Sequence, residues 1–126
     1  MYSMQQLSRI APLVLRVGLS GVMLWFGTNQ LLHADLWTSW VPQWALISGL
    51  SADQIVLFNG LFEVAAGAAL LIGLYTRFVA LLLFLHLVVI VYDIGLTAIG
   101  VRDIGIATGL LTLALDDRSL YSVTKS

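Results

Sequence analysis

Asn59 and Glu63 stand four residues apart in the apolar run Asn59-Gly-Leu-Phe-Glu63-Val-Ala-Ala-Gly67. A helix there presents both on one face, with Gly60, Gly67 and alanines 65, 66, 68 and 69 as small neighbours. A carboxylate facing lipid at that position costs roughly 2.5–3.5 kcal/mol on insertion scales, so Glu63 is expected to face protein and to pair there or hold a proton. His86, Arg102 and Asp103 are the other polar groups that the chain can bring to it. Two chemistries are open to this set. In the first, a structural network, Arg102 neutralises Glu63 or Asp103 and Asn59 fills the remaining hydrogen bonds. In the second, a polar pocket takes the head of a lipid-soluble molecule, with His86 or Glu63 moving protons. No Ser-His-Asp arrangement, phosphate loop or metal-ligand cluster is present, so no residue is assigned a catalytic role and no metal is expected. A bis-histidine haem is not expected either, since His33 belongs at the end of a span and not at the depth of His86.

The elements that position these residues follow from composition. Of 126 residues, 60% are hydrophobic and only 10% are charged, with a mean hydropathy of +0.96. A soluble domain carries roughly 25% charged residues. The chain is read as an integral membrane protein with room for four spans of about 20 residues and no separate soluble domain. A net charge of −1 and scattered basic residues exclude nucleic acid as a partner. The absence of cysteine excludes a disulfide, a dithiol relay and a thiolate metal site within this chain.

The first span is read over residues 10–32, behind a polar lead that lacks a secretory cleavage site. Arg9 and Arg16 mark its entry, Pro12 falls in its first turn, and Gly18, Gly21 and Gly27 suit close packing. Thr28-Asn-Gln30 makes its far end polar. Residues 33–50 form the one long connection and carry Trp37, Trp40 and Trp44, whose spacing shares a helical face. Interrupted at Pro42, this segment is expected at headgroup level as an aromatic belt that can roof the bundle.

Ser51-Ala-Asp-Gln54 reads as a capping box and opens a second span over 52–73. Glu63 then lies roughly 16 Å into that helix, near the middle of a 30 Å hydrocarbon core. A tight turn at Gly73-Leu-Tyr-Thr76-Arg77 leads to a third span over 76–93. His86, roughly 14 Å past Arg77, reaches a similar depth from the opposite side, where it can meet Glu63. The last span, 97–115, is interrupted by Arg102-Asp103, and its Gly105-Ile-Ala-Thr-Gly109 reads as a small-xxx-small contact ridge. The fold class is therefore all-α, a single domain over 1–126. It forms an integral membrane antiparallel four-helix bundle with a Trp-rich interfacial segment between its first two helices.

With four spans both termini share a side. Arg9, Arg16, Arg77, Arg118 and Lys125 fall there and only Arg102 falls opposite, which predicts cytoplasmic termini.

Several of these segments also carry a resemblance. Gly60-Leu-Phe-Glu63-Val-Ala-Ala-Gly67, Gly73-Leu-Tyr-Thr76-Arg77-Phe-Val-Ala80 and Val101-Arg102-Asp103-Ile-Gly105 resemble the DoxX family of small four-helix membrane proteins. Arg16-Val-Gly18, Trp25-Phe-Gly27 and Trp40-Val-Pro42 are similar to it as well. Gln30 departs from the lysine that many members carry at the end of the first helix. The resemblance implies a bacterial cytoplasmic membrane and a link to quinone, since some relatives form part of a thiosulfate:quinone oxidoreductase. Other relatives associate with superoxide dismutase and a sulfurtransferase. A bundle like that of vitamin K epoxide reductase is also implied, but its thiol chemistry is excluded by the absence of cysteine.

On this reading the chain is a membrane subunit of a quinone-linked oxidoreductase system. Asn59, Glu63, His86, Arg102 and Asp103 are its candidate ligand-binding residues, quinone its cofactor, and lipids, a redox enzyme subunit or a second copy its partners. The competing reading is a non-catalytic membrane anchor for a redox or sulfur-handling enzyme. A solute carrier is disfavoured, because neither an inverted repeat nor a broken helix pair is evident.

Overall fold

The structure, a computed structural model, describes residues 3–116. The tail from Asp117 onward, with Arg118 and Lys125 of the orientation count, lies outside the described residues.

Helix ends follow local chemistry. Ser3 Oγ accepts the Gln6 N–H while Gln6 Oε1 accepts the Ser3 N–H, a capping box that starts α1 (Met4–Leu32) well before residue 10. Pro12 is therefore inside the helix and not in its first turn, and Ser8 loses the N–H that its carbonyl would normally accept. The same device at Ser51 and Gln54 opens α3 (Ala52–Ile72). That helix ends at Gly73, whose φ of 78° favours glycine and turns the chain back. Tyr75, also left-handed at φ 49°, leads directly into α4 (Thr76–Ile94). Thr97 Oγ1 accepts the Gly100 N–H and caps α5 (Ala98–Leu115). These four helices are long and apolar enough to cross a membrane.

The connection after α1 is not one interrupted helix. It forms single 3₁₀ turns at Ala34–Leu36 and Thr38–Trp40, then the one-turn α2 (Gln43–Leu46). Extended backbone at Val41 and Pro42 separates Trp40 from Trp44, so the three tryptophans do not share a continuous helical face as their spacing suggested.

The helices pack as two tight antiparallel pairs, α1 on α3 and α4 on α5, which meet along narrower seams. Glycine explains the first pair. A Cβ on Gly27 would stand 2.8 Å from the Gly60 carbonyl oxygen and 2.8 Å from the Val64 nitrogen, and one on Gly60 would stand 2.9 Å from the Gly27 carbonyl oxygen. Backbone cannot yield as a side chain can, so this contact requires glycine on both helices. Gly67 continues the seam against Met23 and Leu24. Gly18, Gly21 and Gly105 do not share in it, because a Cβ at any of them would meet open space. The expected contact ridge on α5 thus reduces to Gly109, which faces Leu15 and Leu19 at ordinary contact distance. The reason is phase: these three glycines lie on the outer surfaces of their helices.

The half of the bundle around the α3–α4 turn is closed by Leu19, Leu70, Ala80, Leu83, Leu110 and Leu113. Arg16, read from sequence as an entry-side charge, is among the most buried side chains at 1% exposure. The early helix start places it three turns inside α1. Continuing the register set by Gly27 against Gly60 and by Gly67 against Met23 puts it level with the turn between α3 and α4.

Gly27→Ala should destabilise the protein by about 1–3 kcal/mol through overpacking. Gly18→Ala should be neutral or stabilising, since it adds helix propensity without a clash. Unfolding of both variants in detergent checks this, and equal losses would contradict the assigned seam.

Candidate functional site

Four side chains from three helices converge on the middle of the bundle. Glu63, 4% exposed and just past the centre of α3, accepts from Gln30 Nε2 at 3.1 Å on one oxygen and from Asn59 Nδ2 at 3.2 Å on the other. Asn59 Nδ2 also donates to Gln30 Oε1 at 2.7 Å, closing a three-residue cycle. The orientation of each amide follows from the cycle: Asn59 faces two oxygens with its nitrogen, and Gln30 turns its nitrogen to the carboxylate. His86, from α4, brings Nε2 to 3.4 Å from Glu63 Oε1. That nitrogen is buried and faces the carboxylate without an aligned hydrogen bond. The imidazole ring rests on Phe62, centroids 5.0 Å apart.

Arg102 and Asp103 form a second group on α5. Arg102 Nε and Nη2 both donate to Asp103 Oδ1, at 3.2 and 3.0 Å. The guanidinium lies over the Phe26 ring at 4.9 Å, and Phe26 meets Trp37 edge to face at 5.7 Å. Trp37 Nε1 in turn donates to Asn29 Oδ1 at 2.9 Å. This stack joins α1 to α5 and ties the connecting segment to the top of α1. Among the described residues Arg102 makes no ion pair with Glu63, because the adjacent Asp103 takes its charge.

The two groups line one cavity of about 390 Å³ between the helix pairs, in the half of the bundle that carries the tryptophans. Gln30, Asn59, Glu63 and His86 contribute its polar inner surface, and Arg102 and Asp103 contribute along α5. Most of the remaining wall is apolar, including Val56, Leu87, Ile90 and Ile106. Trp37, Trp40 and Trp44 all contribute despite the break at Pro42, so the segment expected as an aromatic belt also lines the site. Its size and lining are those of a small-molecule pocket. No group of three or more metal-ligating side chains occurs among the described residues.

The five candidates read from the sequence therefore reach one cavity, but as two clusters instead of one. Gln30 and Phe26 were missed. A signal for Gln30 was present, since it lies one turn beyond Gly27 on the same face, and Gly27 is where α1 touches α3.

A membrane four-helix bundle with a cavity between its helix pairs is the class that fold and site define. The DoxX family model matches residues 11–96, from α1 through the end of α4, and the chain belongs to this family. The match ends before Arg102 and Asp103. No curated protein and no solved structure matches the chain.

A double-mutant cycle on Gln30→Leu and Glu63→Leu should show coupling of about 0.5–3 kcal/mol in detergent unfolding, as for residues in one hydrogen-bond network. The cycle on Arg102→Gln and Glu63→Leu should show additivity within about 0.5 kcal/mol. The reverse pattern would contradict the separation into two clusters.

Proposed function

We propose that this protein is the membrane subunit of a quinone-linked redox system and that its cavity takes the head of a lipid-soluble quinone. The observation that carries this reading is a largely apolar cavity whose inner surface is the Gln30, Asn59, Glu63 and His86 group. A ligand entering from lipid needs apolar walls for its ring and chain, and polar groups at one end to fix its orientation. The residues fit a quinone on both counts. Phe26 and the tryptophans offer flat faces to a ring, while Gln30 and Arg102 carry donors for its oxygens and His86 and Asn59 carry acceptors for the hydroxyls of its reduced form. A bound quinone supplies two-electron, two-proton carrier chemistry. This chain's residues would bind and orient the head, exclude water and hold a proton between His86 and Glu63. Electrons would come from a partner enzyme. DoxX membership supports the reading without fixing it, because one fold hosts many functions.

A second reading, a non-catalytic anchor for a redox or sulfur-handling enzyme, draws on the closed amide–carboxylate cycle, which satisfies Glu63 without any ligand. Purification in native lipid followed by mass spectrometry separates the two. Stoichiometric quinone is expected on the first reading, and a co-purified soluble enzyme without quinone would favour the second.

The proposed setting is a bacterial inner membrane with both termini in the cytoplasm and the tryptophan segment outside, following the basic residues. The chain has no cysteine, so single replacements report cleanly. In intact cells an impermeant thiol reagent should label Ser48→Cys and spare Ser3→Cys, and the opposite pattern would invert the orientation.

A further inference from the structure

The hydrogen-bonding groups left over by the Gln30, Asn59, Glu63 and His86 cluster are mostly acceptors. His86 directs Nε2 at a carboxylate oxygen, and in the neutral imidazole this places the hydrogen on Nε2 and leaves Nδ1 as an acceptor. Nδ1 has no partner among the described residues, and it is Nε2 that the packing buries. Asn59 uses Nδ2 for both Gln30 and Glu63, so its Oδ1 is free to accept and finds no donor among the described residues. Both residues line the cavity. The donor that remains in this cluster is the second hydrogen on Gln30 Nε2.

A carbonyl oxygen placed here meets that donor but sets its lone pairs against those of Nδ1 and Oδ1. A hydroxyl accepts from Gln30 and donates to His86 or Asn59, so it matches the whole set. Arg102 does not discriminate, because a hydroxyl oxygen accepts from a guanidinium as a carbonyl does. The other charged groups on the cavity wall, Asp93 of α4 and Asp103 of α5, are acceptors and add to the same bias.

We propose that the cavity selects the reduced, dihydroxy form of its ring ligand over the carbonyl form. His86 Nδ1 is the atom that receives the hydroxyl hydrogen bond, and Glu63 is a positioning residue that sets the imidazole tautomer and does not touch the ligand. The inference rests on the lipid-soluble ligand proposed above, and three probes of one shape separate the two: a decyl-substituted hydroquinone, its dimethyl ether and the corresponding decyl benzoquinone. Binding to the purified full chain in nanodiscs is measured for each. The hydroquinone should bind at least about tenfold more tightly than the other two, the scale of one buried acceptor left unpaired. Benzoquinone or dimethyl ether binding as tightly as the hydroquinone overturns the selectivity and leaves the pocket standing. No binding by any probe overturns the pocket and the inference together.

A second readout does not depend on a variant at the site. The chain has two histidines, so His33→Gln leaves His86 alone for ¹⁵N labelling. The hydroquinone should move the His86 Nδ1 resonance and the dimethyl ether should not. Glu63→Gln should reduce the preference for hydroquinone over dimethyl ether. An unchanged preference would show that Glu63 does not position the ring.

Discussion

A carboxylate buried in the middle of an apolar bundle needs hydrogen-bonding partners from the protein, and the arrangement of this protein follows from satisfying it. Glu63 receives one amide from its own helix, a second from α1 and an imidazole from α4. The amide from α1 arrives only because Gly27 and Gly60 let the two backbones touch one turn away. The close seam and the polar cluster are thus parts of one requirement. A side chain at Gly27 would push Gln30 away from Glu63 as surely as replacing Gln30 itself.

The pairing of α1 with α3 and of α4 with α5 also explains where space remains. The pairs are joined at one end by the short turn through Gly73 and Tyr75, and near it leucines from all four helices fill the interior. Towards the other end the connecting segment spans the gap with aromatic side chains, and the cavity lies beneath them. Arg102, held by Asp103 and stacked on Phe26, fixes the α1 and α5 side of this space. Its charge is balanced within its own helix, which leaves the central carboxylate to the amides and the histidine.

The helical class, the cap at Ser51, the stop at Gly73 and the convergence of Glu63 with His86 were legible in the residues, because each depends on local chemistry or on simple rise along a helix. The cap at Ser3 is as local as that at Ser51, but it lies in a polar lead that hydropathy sets outside the span, and the positions of Pro12 and Arg16 were misplaced with it. The partner of Arg102 was not legible, since reach alone allowed Glu63 as well as Asp103. Nor was the role of each glycine. Gly18, Gly21 and Gly27 look alike in sequence, and only the phase of α1 against α3 shows that the last makes the seam. Trp37, Trp40 and Trp44 reach a common cavity through a broken segment whose path no helical period describes.

The packed leucines around Leu70, Leu83 and Leu110, all fully buried, give the cavity a sealed floor. The molecule is a well and not a conduit. On the function proposed above, a proton released or taken up at His86 would pass to water through the aromatic end, with the leucine layer between it and the other end of the bundle. Chemistry in such a well is one-sided with respect to the membrane: it acidifies or alkalises a single face, and any contribution to a transmembrane gradient depends on where a partner takes up its own protons.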